Sequence, residues 1–98
     1  MKKPEIVCIC GSTKFEHEWH KAETVLELGG YIVLSIGFGL TKFNSQTKRN
    51  LDELHKRKID LCDWIFVLNV GGYIGRSTKS EIDYATKLGK EVVYLEEI

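Results

Sequence analysis

Trp64-Ile65-Phe66-Val67-Leu68-Asn69, then Gly71-Gly72-Tyr73-Ile74-Gly75-Arg76-Ser77, then a helical stretch to Leu88 and Glu91-Val92-Val93-Tyr94-Leu95: residues 64–95 read as strand, loop, helix and strand in succession. A short, wholly apolar run closed by glycine is the pattern of a strand covered on both faces, as in a parallel sheet. Between the two runs, Ile82, Ala85 and Leu88 recur at helical spacing, with Ser77 or Thr78 as cap and Gly89-Lys90 as stop. A strand, a helix and a second strand in this order form a right-handed crossover unit.

The same alternation extends upstream. Glu5-Ile6-Val7-Cys8-Ile9-Cys10 is a first strand closed by Gly11-Ser12-Thr13. Phe15, Trp19, Ala22, Val25, Leu26 and Leu28 then mark the inward stripe of a helix that Gly29-Gly30 ends. Tyr31 to Ile36 is a second buried strand, and residues 37–47 read as a loop. A helix from about Lys48 to Cys62 follows, with Leu51, Leu54, Lys58 and Leu61 at its spacing. The expected fold is therefore one doubly wound, flavodoxin- or Rossmann-like α/β domain over residues 1–98. Its sheet has four parallel strands in the order 2-1-3-4, with helices on both faces. That order puts the topological switch between strands 1 and 3, where ligands bind such sheets.

Composition narrows the function. The chain has 98 residues, 43% hydrophobic and 29% charged, with 14 basic residues balancing 14 acidic ones. A globular domain of zero net charge lacks the electrostatic footprint of a general nucleic-acid binder. No apolar stretch approaches the ~20 residues of a membrane helix. Met1-Lys2-Lys3-Pro4 leads into a strand-like run too short for a secretory signal, so the expected location is the reducing cytoplasm, with Cys8, Cys10 and Cys62 as buried free thiols. Cys8 and Cys10 share one face of strand 1. No Cys/His spacing matches a structural zinc site, and no metal or organic cofactor is expected.

The switch point selects two loops. Gly11-Ser12-Thr13-Lys14 follows strand 1, and Asn69 with Gly72, Tyr73, Gly75 and Ser77 follows strand 3. Glycine, hydroxyls, a lysine and a helix N-terminus suit a phosphate or a ribose oxygen. A plain capped turn uses the same residues. Tyr73 and Phe38 offer rings for stacking on a base or packing on the core. Glu81 is expected in the first turn of the last helix, where the dipole would keep its carboxylate ionised and nucleophilic. It also stands three residues after Thr78, the spacing of a capping box. Glu16, His17, His20 and Glu23 read as a solvated helix face, as do the basic residues Lys48-Arg49 and Lys56-Arg57-Lys58. Asp63 orients strand 3 or the loop and Asp60 is exposed; Trp19 and Trp64 belong to the core or an interface.

Gly11-Ser12, Asp63 opening strand 3, the glycine-bearing loop, and Glu81 followed by Tyr84-Ala85 and Leu88-Gly89-Lys90 together resemble the nucleoside 2-deoxyribosyltransferase superfamily. That superfamily includes the 2′-deoxynucleoside 5′-phosphate N-hydrolases. The match covers nearly the whole chain in element order and is most specific from His55 to Val93. The resemblance implies that Glu81 attacks the anomeric carbon of a nucleoside or nucleotide and forms a glycosyl-enzyme intermediate. Gly11, Ser12 and Ser77 would contact the sugar or its phosphate. Where the family often has an aspartate, about eight residues before the acid that opens strand 3, this chain has His55, a proton carrier or a surface residue. The loop before Glu81 is also similar, loosely, to that of the cytokinin-activating phosphoribohydrolases. The expected partner is a small nucleoside or nucleotide, not a nucleic acid or a membrane, and the resemblance implies a homodimer. The competing expectation is a non-catalytic nucleotide-binding or sensing module of the same fold.

Overall fold

A computed structural model describes residues 3–38 and 44–97. Its elements are β1 (Ile6–Gly11), α1 (Glu16–Leu28), β2 (Ile32–Leu34), α2 (Ser45–Leu61), β3 (Trp64–Leu68), α3 (Arg76–Lys87) and β4 (Glu91–Tyr94). Short 3-10 turns at Thr13–Phe15 and Val70–Gly72 follow β1 and β3. The sheet has the order β2-β1-β3-β4 and every pairing is parallel. This is the expected doubly wound arrangement.

The period-2 alternation of the strands sorts the core into two layers. Ile9 and Leu68 point to the α1 side, where they meet Trp19 and Ala22. Cys8, Cys10, Ile65 and Val67 point the other way, toward Ile59 of α2 and Ala85 of α3. Right-handed crossovers dictate this split: the chain moves one way from β1 to β2, then reverses through β1 to β3 and β4. Asp63 locks the register, as expected, because its Oδ2 accepts from Ile6 N at 2.7 Å while its own N–H donates to Ile6 O at 2.7 Å.

Several expectations at the helices are corrected. Val25 and Leu28 of α1 are 57% and 83% exposed, so the inward stripe there is Trp19 and Ala22 with Leu26 beside them. Helix α2 buries His55 and Ile59, while Leu51, Leu54 and Leu61 face out. The inward stripe is thus one position later than the leucines suggest, a rotation of about 100° on a helix of 3.6 residues per turn. Leu88 is exposed at the end of α3. Strand β2 is shorter than expected, and it is an edge strand with Ile32 exposed. Of the loop expected over 37–47, residues 39–43 lie outside the described residues, and 45–47 already belong to α2. Among the described residues no helix is long and apolar enough to cross a membrane.

Candidate functional site

The start of α3 fixes Glu81. Lys79 N donates to Gly75 O at 2.9 Å, which closes the first helical turn and makes Gly75 the N-cap. Neither Ser77 nor Thr78 caps the helix, and no capping box joins Thr78 to Glu81. With Arg76 as the first helical residue, Glu81 lies in the second turn rather than the first. Its carboxyl therefore lacks the end-on dipole contact expected from sequence and is tucked under the helix, 7% exposed.

It meets a polar cluster there. His55 projects from α2 and is 5% exposed. Its Nε2 is 2.9 Å from Ile9 O, 3.5 Å from Cys8 Sγ and 3.6 Å from Cys10 Sγ. A carbonyl oxygen only accepts, so Nε2 carries the proton and donates to it. The backbone explains why that carbonyl is free. Glu5 O accepts from Ile32 N, and alternate carbonyls along β1 face β2 in the same way. Strand β2 stops at Leu34, and α2 fills the gap beyond it: His55 covers Ile9 O, and Lys58 Nζ covers Ser35 O. The other ring nitrogen, Nδ1, is buried without a hydrogen-bond partner.

Proximity couples the titrations. The Cys10 thiol beside it holds Cys8 down at about 5, against the effect of burial and with help from His55. Cys10 is raised in turn by the Cys8 charge and by burial. Each thiol thus makes ionisation of both together unfavourable, and Cys8 is the more acidic of the two. Burial pulls His55 down, but the Cys8 thiolate more than offsets this and leaves it raised. Burial raises the carboxyl of Glu81, and His55 opposes that rise.

Near the cluster, the first turns of α2 and α3 are tied together. Lys48, Asp52 and His55 recur at helical i, i+4, i+7 spacing on α2, and Ser77 and Glu81 at i, i+4 on α3. Lys48 Nζ donates to Ser77 Oγ at 3.3 Å and pairs with Asp52 at 3.5 Å. A cation, a hydroxyl and a carboxylate near the surface thus share helix flanks with His55 and Glu81.

The loop residues expected to bind substrate are differently placed. Gly11 is required by packing: a Cβ there would lie 2.9 Å from Leu68 Cβ. Gly11→Ala is therefore expected to push β1 from β3 and to cost about 1–3 kcal/mol, a loss readable in urea unfolding. Ser12 Oγ accepts from Lys14 N at 3.3 Å, and Thr13 and Lys14 are exposed. Lys14 Nζ sits 3.5 Å above the Tyr73 ring, whose edge also meets Phe15 at 5.9 Å, so the two switch-point loops touch here. Gly75 lies against Tyr73, and Gly72 has a left-handed φ of 82°. Asn69 is fully buried, and its amide both donates to Glu96 O and accepts from Glu96 N, so it ties down the end of β4. Phe38 packs edge-on against Trp19.

Phe15 belongs to the α1-side layer and Cys10 to the other. The loop group around Lys14 and Tyr73 and the interior group around Glu81 therefore flank the switch point on opposite faces. His20 bonds Glu23 at 2.8 Å and Glu16 at 3.4 Å on the outer side of α1, the solvated face expected, although Glu23 is partly covered. Sequence reading missed Lys48 and Asp52 as companions of Glu81; their i, i+4, i+7 relation to His55 was the available signal.

Fold and cluster together define a doubly wound α/β domain with a buried Cys-Cys-His-Glu group beside its switch point. The chain belongs to the DUF4406 family, a domain of unknown function whose family model matches residues 8–94, from Cys8 to the last residue of β4. No curated protein matches the sequence.

Proposed function

We propose that this domain takes a nucleoside or nucleotide and cleaves its N-glycosidic bond through Glu81. One observation carries the reading: Glu81, a carboxyl held inside the protein beside His55 and Cys10, has the Lys48–Ser77 pair one turn away toward the surface. The distribution suits a sugar placed at Glu81 with its 5′-phosphate or hydroxyl at Lys48 and Ser77. The resemblance to nucleoside 2-deoxyribosyltransferases supplies the substrate class.

The chemistry balances without a cofactor. The Glu81 carboxylate attacks the anomeric carbon as the C–N bond breaks, and the C–N bonding pair leaves with the base, which takes up a proton from water. Water, or a second base, then displaces Glu81 from the glycosyl ester and restores the carboxylate. His55 acts as a positioning residue, because its Nε2 is turned onto β1 and its influence on Glu81 is electrostatic. A homodimer fits the same reading, and the exposed leucines Leu51, Leu54 and Leu61 of α2 offer it an apolar surface.

A chromatographic assay for free base tests the reading across nucleosides, deoxynucleosides and their 5′-monophosphates, with and without an acceptor base. Base release is the expected result, and silence across the panel would sink it. Lys48→Ala is expected to raise KM about tenfold for monophosphates, from the loss of one charge-assisted contact of about 1.5 kcal/mol. Nucleosides should be almost unaffected, and equal losses for both classes would remove Lys48 from phosphate binding. The burial of Glu81 favours a second reading, a nucleotide-binding module that senses its ligand without turnover.

A further inference from the structure

We infer that Cys8, Cys10 and His55 form a binding site for a thiophilic divalent cation, with zinc the best match. The inference is independent of the glycosidase reading, since it concerns three side chains that need no nucleotide. One ligand atom from each lies within 4.8 Å of the others, and the group is the metal-competent cluster found among the described residues.

Geometry and donor chemistry agree. Zinc bonds thiolate at about 2.3 Å and imidazole at about 2.0–2.1 Å with near-tetrahedral angles, which sets sulfur and nitrogen roughly 3.6 Å apart. The two S···N separations here are 3.5 and 3.6 Å. The nitrogen is already spaced from both sulfurs as an ion would hold it. Two sulfurs and one nitrogen form a soft to borderline set that favours zinc over magnesium or calcium, whose ligands are oxygens. Three protein donors leave one tetrahedral position open for a water.

The surroundings argue the same way. The ring turns Nε2, not Nδ1, toward both sulfurs, so the nitrogen a cation needs is the one presented to it. Loading the ion leaves both sulfurs as thiolates, with any remaining thiol proton passing to solvent, and moves the imidazole proton from Nε2 to Nδ1. The Nε2–H bond to Ile9 O is given up, one neutral hydrogen bond against three metal–ligand bonds. The ion would then tie α2 to the central strand across the gap where β2 ends.

Cobalt(II) titration of the reduced full-length chain tests this directly, since cobalt replaces zinc and reports its ligands by colour. The expected result is one equivalent bound, with thiolate-to-cobalt charge transfer in the near ultraviolet and intense tetrahedral bands in the red. Added zinc should bleach both. Cys8→Ser and Cys10→Ser should each weaken binding more than about 100-fold, because losses at outer-shell partners alone reach 10–100-fold. Cys62→Ser and His20→Ala should leave it unchanged. Zinc should also raise the melting temperature of the parent chain. A wild-type chain without the charge-transfer band overturns the inference whether or not the variants fold. So does a band that survives both cysteine substitutions.

Discussion

Glu81→Gln is expected to slow base release by at least about 10³-fold, the loss typical when a catalytic nucleophile is replaced. Glutamine keeps the shape and burial of the side chain but has no charge to place on the anomeric carbon. Fold should survive, because burial already disfavours the ionised carboxylate at this position. The affinity for the same nucleotide, measured by calorimetry, should stay within about threefold, since uniform binding is untouched when only a transition-state interaction is lost. If instead parent and variant both bind and neither releases base, the domain is a binding module.

The pH dependence of kcat/KM follows from the same carboxyl. Burial raises its pKa above the ordinary 4.5, His55 opposes that rise, and Cys8 and Asp52 add to it. A hydrogen bond with Cys10 also lowers it. A nucleophilic carboxylate must be ionised, so the rate should fall as pH drops through this raised value. The acid limb should therefore lie above 4.5.

The fold was legible because the strands are apolar runs bounded by glycine, and because right-handed crossovers permit few strand orders. Glu81, His55 and the two switch-point loops were legible as residues, yet their assembly was not. Helical spacing picked out Leu51, Leu54, Lys58 and Leu61 on α2, whereas the structure turns His55 and Ile59 inward. The reason is physical. The sheet surface under α2 carries Cys8 and Cys10 and a carbonyl left free by the short β2, which a histidine can satisfy and a leucine cannot. Apolar periodicity cannot see a polar residue that is wanted inside. The metal-competent cluster stayed hidden for a related reason: its donors come from two elements 45 or more residues apart, and only the packing of α2 on β1 joins them. The helix start was missed because Gly75 caps through its backbone alone, while Ser77 and Thr78 look like better caps. Asn69 and Gly11 were read as ligand contacts because their type and place suited one, although the fold claims both for itself.

Trp19→Ala is expected to produce the largest loss of stability. The indole is 1% exposed and packs with Ile9, Ala22 and Leu68, the α1-side layer of the core. Its Nε1 donates to Ser12 O at 2.9 Å, so the same ring anchors the loop that leaves β1. Truncating a buried tryptophan costs about 3–5 kcal/mol through lost transfer energy and the cavity left behind. At about 4–8 °C per kcal/mol for a domain of this size, the melting temperature should drop by roughly 12–40 °C. Against a total of about 5–15 kcal/mol, that loss brings the domain to the edge of folding. Trp19→Phe separates the two roles, since it keeps most of the packing but removes the N–H donor. Its extra cost should be nearer 1 kcal/mol, the net worth of one hydrogen bond. The loop should then be held less firmly while the core stays intact, and hydrogen exchange at Thr13 and Lys14 reads that difference. Faster exchange there, with little change at β3, would identify Trp19 as the anchor of the loop. Unchanged exchange would mean that Gly11 against Leu68 fixes the loop without it.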